Sequence, residues 1–218
     1  NVDFNNSLVQ TGNAKPIIFQ GDNSEGALGL GFGGSMEPNA RLVQGLLTVK
    51  VARVEGGQSF MVALSRDGKS DVVEISFIIR HIYYIGKAFI WGQLGDRELS
   101  SYPKLIRFSE SKGEDKIRIQ QISAAGNRCT FLTEHGTFFF SGNLYPVAKY
   151  SEPAEFVWLK EYKHGAKKIK QVQCGVMHTV FVTEDDEVYC FGDNTVNQCV
   201  HGVSFFFMCK CSVITLSK

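Results

Sequence analysis

Residues 29–34 have the clearest spacing for chemistry in the sequence, because their glycines fit the pattern Gly-x-Gly-x-x-Gly. Such a loop binds the pyrophosphate of a dinucleotide when it joins a strand to the N-terminus of a helix. Here Met36, Glu37 and Pro38 follow the glycines, and no helical pattern begins there. The sequence therefore predicts a loop and no dinucleotide site.

A second set of residues near the end of the sequence has side chains that zinc prefers. The set comprises Cys199, His201, Cys209 and Cys211. Thiolates and an imidazole suit a tetrahedral ion, but the Cys-x-Cys spacing is unusual for zinc and only one histidine is near. The sequence therefore predicts neither a metal ion nor any other cofactor.

Residues able to act as acid, base or nucleophile form no recognisable catalytic set. His178 is interpreted as a histidine that hydrogen-bonds within its own repeat, and Asp185, Asp186 and Glu187 as a solvated turn. No Ser-His-Asp set and no carboxylate pair recurs at a spacing suited to catalysis. We predict no catalytic residue, no bond-making or bond-breaking activity and no small-molecule substrate.

The one concentration of basic residues lies between positions 160 and 170. It consists of Lys160, Lys163, His164, Lys167, Lys168 and Lys170. These side chains could contact DNA phosphates or an acidic histone surface, and such contacts weaken as salt is added. The alternative interpretation is an exposed loop that leads into a strand. Lys163, Lys167 and Lys168 are the candidate contacts to phosphate or chromatin.

The composition describes a folded chain with little net charge. The 218 residues include 23 Lys and Arg against 22 Asp and Glu, and 44% are hydrophobic. This balance excludes a disordered chain and argues against a protein that works mainly by coating nucleic acid. The apolar stretch at residues 72–85 is interrupted by Glu74, Arg80 and His81 and is too short for a membrane helix. No membrane partner is predicted.

The cysteines and the first residues of the sequence indicate a compartment. The six cysteines fit no regular pairing and lie mostly in apolar, strand-like surroundings. Free, buried thiols in a reducing compartment explain this pattern better than a disulfide framework. No secretory signal opens the sequence. We therefore expect a nuclear or cytoplasmic location.

The elements that position these residues follow from an internal repeat. Short apolar runs end at Gly21, Gly92, Gly142 and Gly192, and the last three of these glycines lie 50 residues apart. Upstream of each of those three lie two strand patterns separated by a small residue or glycine and two variable residues. A period near 50 residues with about four short strands per repeat is typical of a propeller blade.

An interruption of the repeat lies at residues 70–87. Gly21 and Gly92 are 71 residues apart, and removal of these 18 residues reduces the interval to 53. We interpret residues 70–87 as an insertion into a hairpin turn.

The sequence therefore predicts an all-β fold, a partial β-propeller of roughly four-stranded blades with about three repeats and the start of a fourth. A weaker strand of the blade is predicted at residues 105–108 and 154–158. Residues 1–16 are an N-terminal extension and residues 203–218 a non-repeat tail. The propeller repeats, residues 17–202, divide into a first unit at 17–69 and 88–91, a second at 92–141, a third at 142–191 and the start of a fourth at 192–202.

The repeat resembles the regulator-of-chromosome-condensation repeat family. That family repeats Cys-Gly, two residues, His, an apolar strand, a glycine turn and a second strand that ends in an aromatic residue and glycine. Residues 173–194 carry this pattern as QCGVMHTVFVTEDDEVYCFGDN, and residues 21–31 (GDNSEGALGLG) look like the family's Gly-Gln-Leu-Gly loop. The resemblance covers roughly residues 17–69 and 88–202. It implies a seven-bladed propeller of which this chain holds a part.

The resemblance implies two alternative functions. The founding member of the family is the chromatin-bound guanine nucleotide exchange factor for the small GTPase Ran, and the loop at residues 21–31 looks closest to that member. The chain would then be an exchange factor for a Ran-type GTPase, or an exchange-factor-like partner of one, in the nucleus. Many other members are non-catalytic interaction scaffolds in ubiquitin ligases, cilia or membrane traffic.

In each repeat a small residue or glycine follows the first of the two strand patterns, and we call it the inner small residue. The candidate partner-binding residues follow it directly. In the exchange factor, acidic side chains that serve exchange occur in these loops. No carboxylate stands at the matching positions here, which leaves exchange activity open and favours the scaffold. The matching residues are Gln58, Ser59, Asn127, Arg128, Val176 and Met177.

Overall fold

The structure is a computed structural model that describes residues 16–34, 36–66, 70–75, 79–84, 86–94, 97–108, 117–142, 160–193 and 209–210. Within these ranges the regular elements are β-strands and one 3₁₀ turn at Gln44–Leu46. The strands are β1 (Ile18–Asp22), β2 (Met36–Leu42), β3 (Val51–Gly56), β4 (Phe60–Ser65), β5 (Ser70–Ile75), β6 (Ile79–Tyr84), β7 (Ala88–Leu94), β8 (Arg97–Leu105), β9 (Ile119–Ala125), β10 (Arg128–Thr133), β11 (Phe138–Gly142), β12 (Lys160–Tyr162), β13 (Ile169–Cys174), β14 (His178–Thr183), β15 (Val188–Gly192) and β16 (Cys209–Lys210).

Three four-stranded antiparallel sheets make up most of this fold. Blade 1 has the order β3-β4-β7-β8, blade 2 the order β9-β10-β11-β12, and blade 3 the order β13-β14-β15-β16. A fourth, two-stranded sheet joins β1 to β2. Because β1 carries Gly21 as β7 carries Gly92, this pair corresponds to the third and fourth strands of a blade, and we call it the half-blade. The predicted all-β, partial propeller is confirmed.

The sheets group the strands in a different phase from the predicted repeat units. Each blade starts at the strand before the inner small residue, so blade 1 runs from residue 51 to 105 and blade 2 from 119 to 162. The predicted unit boundaries divide the sequence at the glycine of the third strand and stay a prediction. The extension at residues 1–15 and most of the tail at 203–218 lie outside the described residues.

The predicted insertion coincides with a separate hairpin in the structure. Strands β5 and β6 pair with each other and form their own two-stranded sheet. Strand β4 pairs directly with β7, with Met61 opposite Trp91, as β10 pairs with β11 and β14 with β15. The blade therefore forms around the inserted residues, because a longer loop between two paired strands adds only a small entropic cost.

The fourth strand of blade 1 lies earlier than predicted. It spans Arg97–Leu105, whereas the sequence pattern placed it at residues 105–108. The sequence pattern did not indicate this strand because it contains Pro103, and proline, which has no backbone N–H, interrupts a strand pattern. In the structure β8 is the last strand of its sheet, and its register with β7 shifts between Ile90 and Gly92, which accommodates the proline. The second weak strand, at residues 154–158, falls outside the described residues.

Apolar side chains fill the spaces between neighbouring blades. All six residues of β4 and all six of β10 are buried, because each of these strands lies between two neighbours. Three clusters result, one for each contact between adjacent sheets. Their central members are Phe19, Met61 and Trp91 between the half-blade and blade 1; Phe60, Ile122 and Phe131 between blades 1 and 2; and Leu132, Phe138 and Phe181 between blades 2 and 3.

Hydrogen bonds from side chains join the first strands of blades 2 and 3. The amide of Gln121 donates from Nε2 to the carbonyl oxygen of Val172 at 2.8 Å and accepts from the Val172 N–H at 3.1 Å. The hydroxyl of Ser123 accepts from the Cys174 N–H at 3.0 Å. These side chains satisfy backbone groups of β13 that no strand faces, as buried polar groups require.

Replacement of Gln121 by alanine is expected to lower the free energy of unfolding by about 2 kcal/mol, because both backbone groups of the buried Val172 lose their partner. Urea unfolding followed by circular dichroism measures this effect. Gln173→Ala is the control, since Gln173 is exposed on β13. Equal losses in the two variants would contradict the assignment.

Candidate interaction surface

The predicted partner-binding residues lie at one end of the propeller strands. Three hairpin loops, at residues 57–59, 126–127 and 175–177, join the first and second strands of blades 1, 2 and 3. We call this end of the strands the loop face and the opposite end the turn face. The two faces are about 17 Å apart, the length of a six-residue strand such as β13.

The three loops touch one another across the blades. The N–H of Gln58 donates to the carbonyl oxygen of Gly126 at 2.6 Å. A Cβ on Gly126 would lie 3.0 Å from Val176 Cγ1 and 3.1 Å from the Val176 oxygen, so these two loops are also in contact. The structure therefore brings together residues 118 positions apart in the sequence into one continuous surface.

The apolar part of the loop face is in blade 3. Val176 is 62% exposed and Met177 is 47% exposed. Gln58 is exposed, while Ser59 and Asn127 are half-buried. Adjacent exposed apolar side chains at a loop tip are a common feature of surfaces that bind other proteins.

The backbone behind two of these loops is held by the residue after the repeat glycine. The N–H of Gln93 donates to the Ser59 oxygen at 2.7 Å, and the N–H of Asp193 donates to the Met177 oxygen at 2.9 Å. The third strand of the blade thus fixes the position of the loop, so a change in that strand also changes the surface.

Arg128 does not lie on this surface. Its side chain is 3% exposed, and its backbone pairs with Gly142 as Phe60 pairs with Gly92 and His178 with Gly192. Arg128 therefore occupies the buried position that the ring of Phe60 or His178 fills in the other blades. The loop residues of blade 2 are Gly126 and Asn127, one position earlier than the predicted pair Asn127 and Arg128.

Close packing explains why the repeat pattern placed the loop of blade 2 one residue too late. A Cβ on Gly57 would lie 1.9 Å from the ring of Phe60, and one on Gly175 would lie 2.3 Å from the ring of His178. The inner position is thus glycine where a ring packs over it. In blade 2 the equivalent residue is Ala125, which pairs with Arg128, and the glycine in the sequence is its neighbour Gly126.

The candidate phosphate contacts lie on the turn face. The ammonium of Lys167 contacts Glu187 and also lies 3.3 Å from Asp185 Oδ2, while Lys170 contacts Asp186. The hydrogen bond to Glu187 raises the pKa of Lys167. Carboxylates of the turn at residues 184–187 therefore already neutralise part of the predicted basic run. Lys163 and Lys168 are exposed at the same end of blade 3.

The glycine run at residues 29–34 belongs to the loop between β1 and β2. Asn23, fully buried, donates from Nδ2 to the Phe32 oxygen at 2.7 Å and accepts from the Leu28 N–H at 3.1 Å. The indole of Trp91 donates to the Ala27 oxygen at 2.8 Å. Strand β2 follows the run, so no helix N-terminus faces it.

Three of the cysteines are buried thiols. Cys129, Cys174 and Cys190 are buried and form no disulfide bond. Burial raises the pKa of the Cys129 thiol well above its usual value, and burial also raises that of Cys174, so neither ionises readily. Among the residues that the structure describes, no group of three or more His, Cys, Asp or Glu side chains could hold a metal ion. Cys199, His201 and Cys211 fall outside those residues.

Comparison with known families identifies the repeat. Residues 169–198 match the family model described as the regulator of chromosome condensation (RCC1) repeat. The match includes β13, β14, β15 and the loop that carries Val176 and Met177. This part of the chain is therefore similar to an RCC1 repeat.

The RCC1-type fold is shared with several known proteins of greater length. The human protein described as probable E3 ubiquitin-protein ligase HERC6 is 24% identical over 196 residues, which cover 84% of this chain and 17% of that protein. The match to the crystal structure of human WBSCR16 covers 92% of this chain and 49% of the WBSCR16 chain, with a TM-score of 0.64 and 19% identity. The crystal structure of Prp20p from Saccharomyces cerevisiae is described together with its binding to Gsp1p and histones. The match to it covers 85% of this chain and 43% of the Prp20p chain, with a TM-score of 0.58 and 20% identity.

These likenesses show the fold of the chain and how much of each known protein it spans. It spans less than half of each solved propeller and about a sixth of HERC6. Its blades therefore have the fold of part of the two solved structures. In the described part of the chain no helix is long and apolar enough to cross a membrane.

Proposed function

We propose that this RCC1-type propeller is a non-catalytic protein-interaction module that binds its partner through the loop face. The observation that carries this proposal is the contact between the three hairpin loops, with Val176 and Met177 exposed at one end. A continuous surface with exposed apolar side chains at one end suits a protein partner better than a small ligand.

The first partner to test is a small GTPase of the Ran type. Prp20p, which shares the fold, is described with its binding to Gsp1p, and the loop at residues 21–31 resembles that of the Ran exchange factor. The chain would act as an exchange-factor-like partner in the nucleus or cytoplasm. Contacts of Lys163 and Lys168 to chromatin belong to the same proposal.

Nucleotide exchange itself is a second candidate activity. The loop residues Gln58, Ser59, Asn127, Val176 and Met177 include no carboxylate. The absence of carboxylates at these loop positions supports binding more directly than displacement of a nucleotide. The likeness to HERC6 favours the alternative of an interaction scaffold, of the kind found in ubiquitin ligases.

The double change Val176→Glu and Met177→Glu is expected to weaken binding to a purified Ran-type GTPase by roughly tenfold or more, because two exposed apolar contacts become charged. Biolayer interferometry with the immobilised GTPase measures the dissociation constant. Leu47→Glu is the matched control, since Leu47 is 49% exposed but lies between β2 and β3 at the turn face. An unchanged affinity in the double variant would contradict binding of the GTPase through the loop face.

Release of a fluorescent nucleotide from the same GTPase separates the two activities. Binding without faster release is the result expected of a partner that does not catalyse exchange. Faster release that the double variant abolishes would instead assign exchange to the loop face. Absence of binding would leave the scaffold as the function to pursue.

A further inference from the structure

Every strand of blade 1 has a basic residue beside its end at the turn face. Lys50 precedes β3, Arg66 follows β4, Lys87 precedes β7, and Arg107 lies two residues after β8. All four residues are exposed. We call these four residues the basic row.

Backbone hydrogen bonds fix the order of the row. The N–H of Arg66 donates to the Lys50 oxygen at 2.6 Å, and the N–H of Ser65 donates to the Lys87 oxygen at 2.9 Å. Ile106 donates to Ala88 at 2.9 Å, which places Arg107 opposite Lys87. Because neighbouring strands are about 4.8 Å apart, the row is about 14 Å long.

Blade 2 extends the basic row by one residue. Gly86 and Ile119 exchange hydrogen bonds of 2.9 and 3.0 Å between their backbones. Arg118, which is exposed, precedes Ile119 and therefore lies beside Lys87. Neither Lys50, Lys87, Arg107 nor Arg118 has an ion-pair partner among the residues that the structure describes.

The equivalent positions of the other blades differ in charge. Glu134 donates its N–H to the Arg118 oxygen, and Glu184 donates its N–H to the Lys168 oxygen, as Arg66 does to Lys50. Blades 2 and 3 therefore place a carboxylate opposite the basic residue, whereas blade 1 places two cations opposite each other. Like charges opposite each other on neighbouring strands are unfavourable. Lys87 and Arg107 also lie opposite each other, and an anionic partner would relieve the repulsion between them.

We propose that the basic row binds an acidic segment of a partner protein. An extended peptide rises about 3.3 Å per residue, so about five residues rich in Asp and Glu match the length of the row. The carboxylates at residues 184–187 lie on the same face in blade 3 and would repel a long polyanion that reached from blade 1 to blade 3. The positive surface is therefore short, which suits a peptide better than a nucleic acid duplex.

Fluorescence anisotropy of a labelled peptide of about ten residues, made of Glu and Gly, tests this assignment on the full chain. The variant with Lys50→Gln, Lys87→Gln and Arg107→Gln is expected to bind roughly tenfold more weakly, since each exposed ion pair contributes a fraction of a kcal/mol up to about one. The wild-type affinity is expected to fall as salt is added.

Two matched variants make the test specific. Arg41→Gln, Arg53→Gln and Lys170→Gln together remove the same charge elsewhere on the surface, and affinity is expected to stay within about twofold of wild type. Lys50→Arg, Lys87→Arg and Arg107→Lys together keep the charge and are expected to bind like wild type. Equal losses in the two glutamine variants, no binding by the wild type, or preferential binding of a short DNA duplex would each overturn the proposal.

Discussion

Replacement of Gly92 by alanine is expected to lower the free energy of unfolding by about 4 kcal/mol. Gly92 has φ +95°, a conformation that residues with a side chain rarely adopt. Its Cβ would lie 2.4 Å from the Ser59 oxygen and 2.8 Å from the Phe60 Cα. Both atoms belong to the backbone of the paired strand and cannot move aside as a flexible side chain can. Strain and steric overlap therefore add at this position.

Gly21 provides the control that separates the two causes. It is the equivalent glycine of the half-blade, with φ +129°, and no atom lies within 4 Å of the position its Cβ would take. Gly21→Ala therefore carries only the conformational strain, for which we expect about 2 kcal/mol. Urea unfolding of both variants measures the difference. A loss at Gly92 no larger than that at Gly21 would show that the blade accommodates the added methyl group.

The same substitution is expected to disturb the loop face. Ser59 is both the nearest contact of the added methyl group and the acceptor of the hydrogen bond from Gln93. Displacement of Ser59 would move Gln58, which contacts Gly126 of the next blade. Faster hydrogen exchange of the Gln58 and Gln93 amides in Gly92→Ala than in Gly21→Ala is the expected result. The repeat glycine thus links the stability of a blade to the shape of its surface.

The fold could be predicted because its signals are local and repeat. Gly92 and Gly192, at the end of the third strand, are required by their positive φ and by their close contacts, and together with Gly142 they mark the period in the sequence. The inner position carries a weaker signal. Gly57 and Gly175 are required only because a ring packs over them, and Ala125 replaces glycine where Arg128 takes the place of the ring.

The surface charges could not be predicted, because they depend on which strands become neighbours. The basic run at residues 160–170 was conspicuous in the sequence, yet the turn that follows β14 brings Asp185, Asp186 and Glu187 against Lys167 and Lys170. The residues of the basic row are spread over positions 50 to 107 and form no run. Pairing of the four strands places them side by side.

Replacement of Trp91 by alanine is expected to cost about 4 kcal/mol of the free energy of unfolding. Trp91 is fully buried between the half-blade and blade 1, where its ring lies 6.4 Å from that of Phe19. Its indole N–H donates to the Ala27 oxygen and so also holds the loop between β1 and β2. Removal of the side chain leaves a large cavity in the contact between two sheets. Urea unfolding followed by circular dichroism measures the loss.

Trp91→Phe separates the packing of the ring from its hydrogen bond. Phenylalanine keeps most of the buried apolar surface and loses the bond to Ala27, for which we expect a loss of about 1–2 kcal/mol. Because the half-blade consists of two strands and depends on blade 1 for its buried surface, its amides are expected to exchange hydrogen faster in Trp91→Ala. Amides of β13 and β14, two sheets away, are expected to keep their protection. Equal acceleration throughout the chain would show that the propeller arc unfolds as one cooperative unit and not blade by blade.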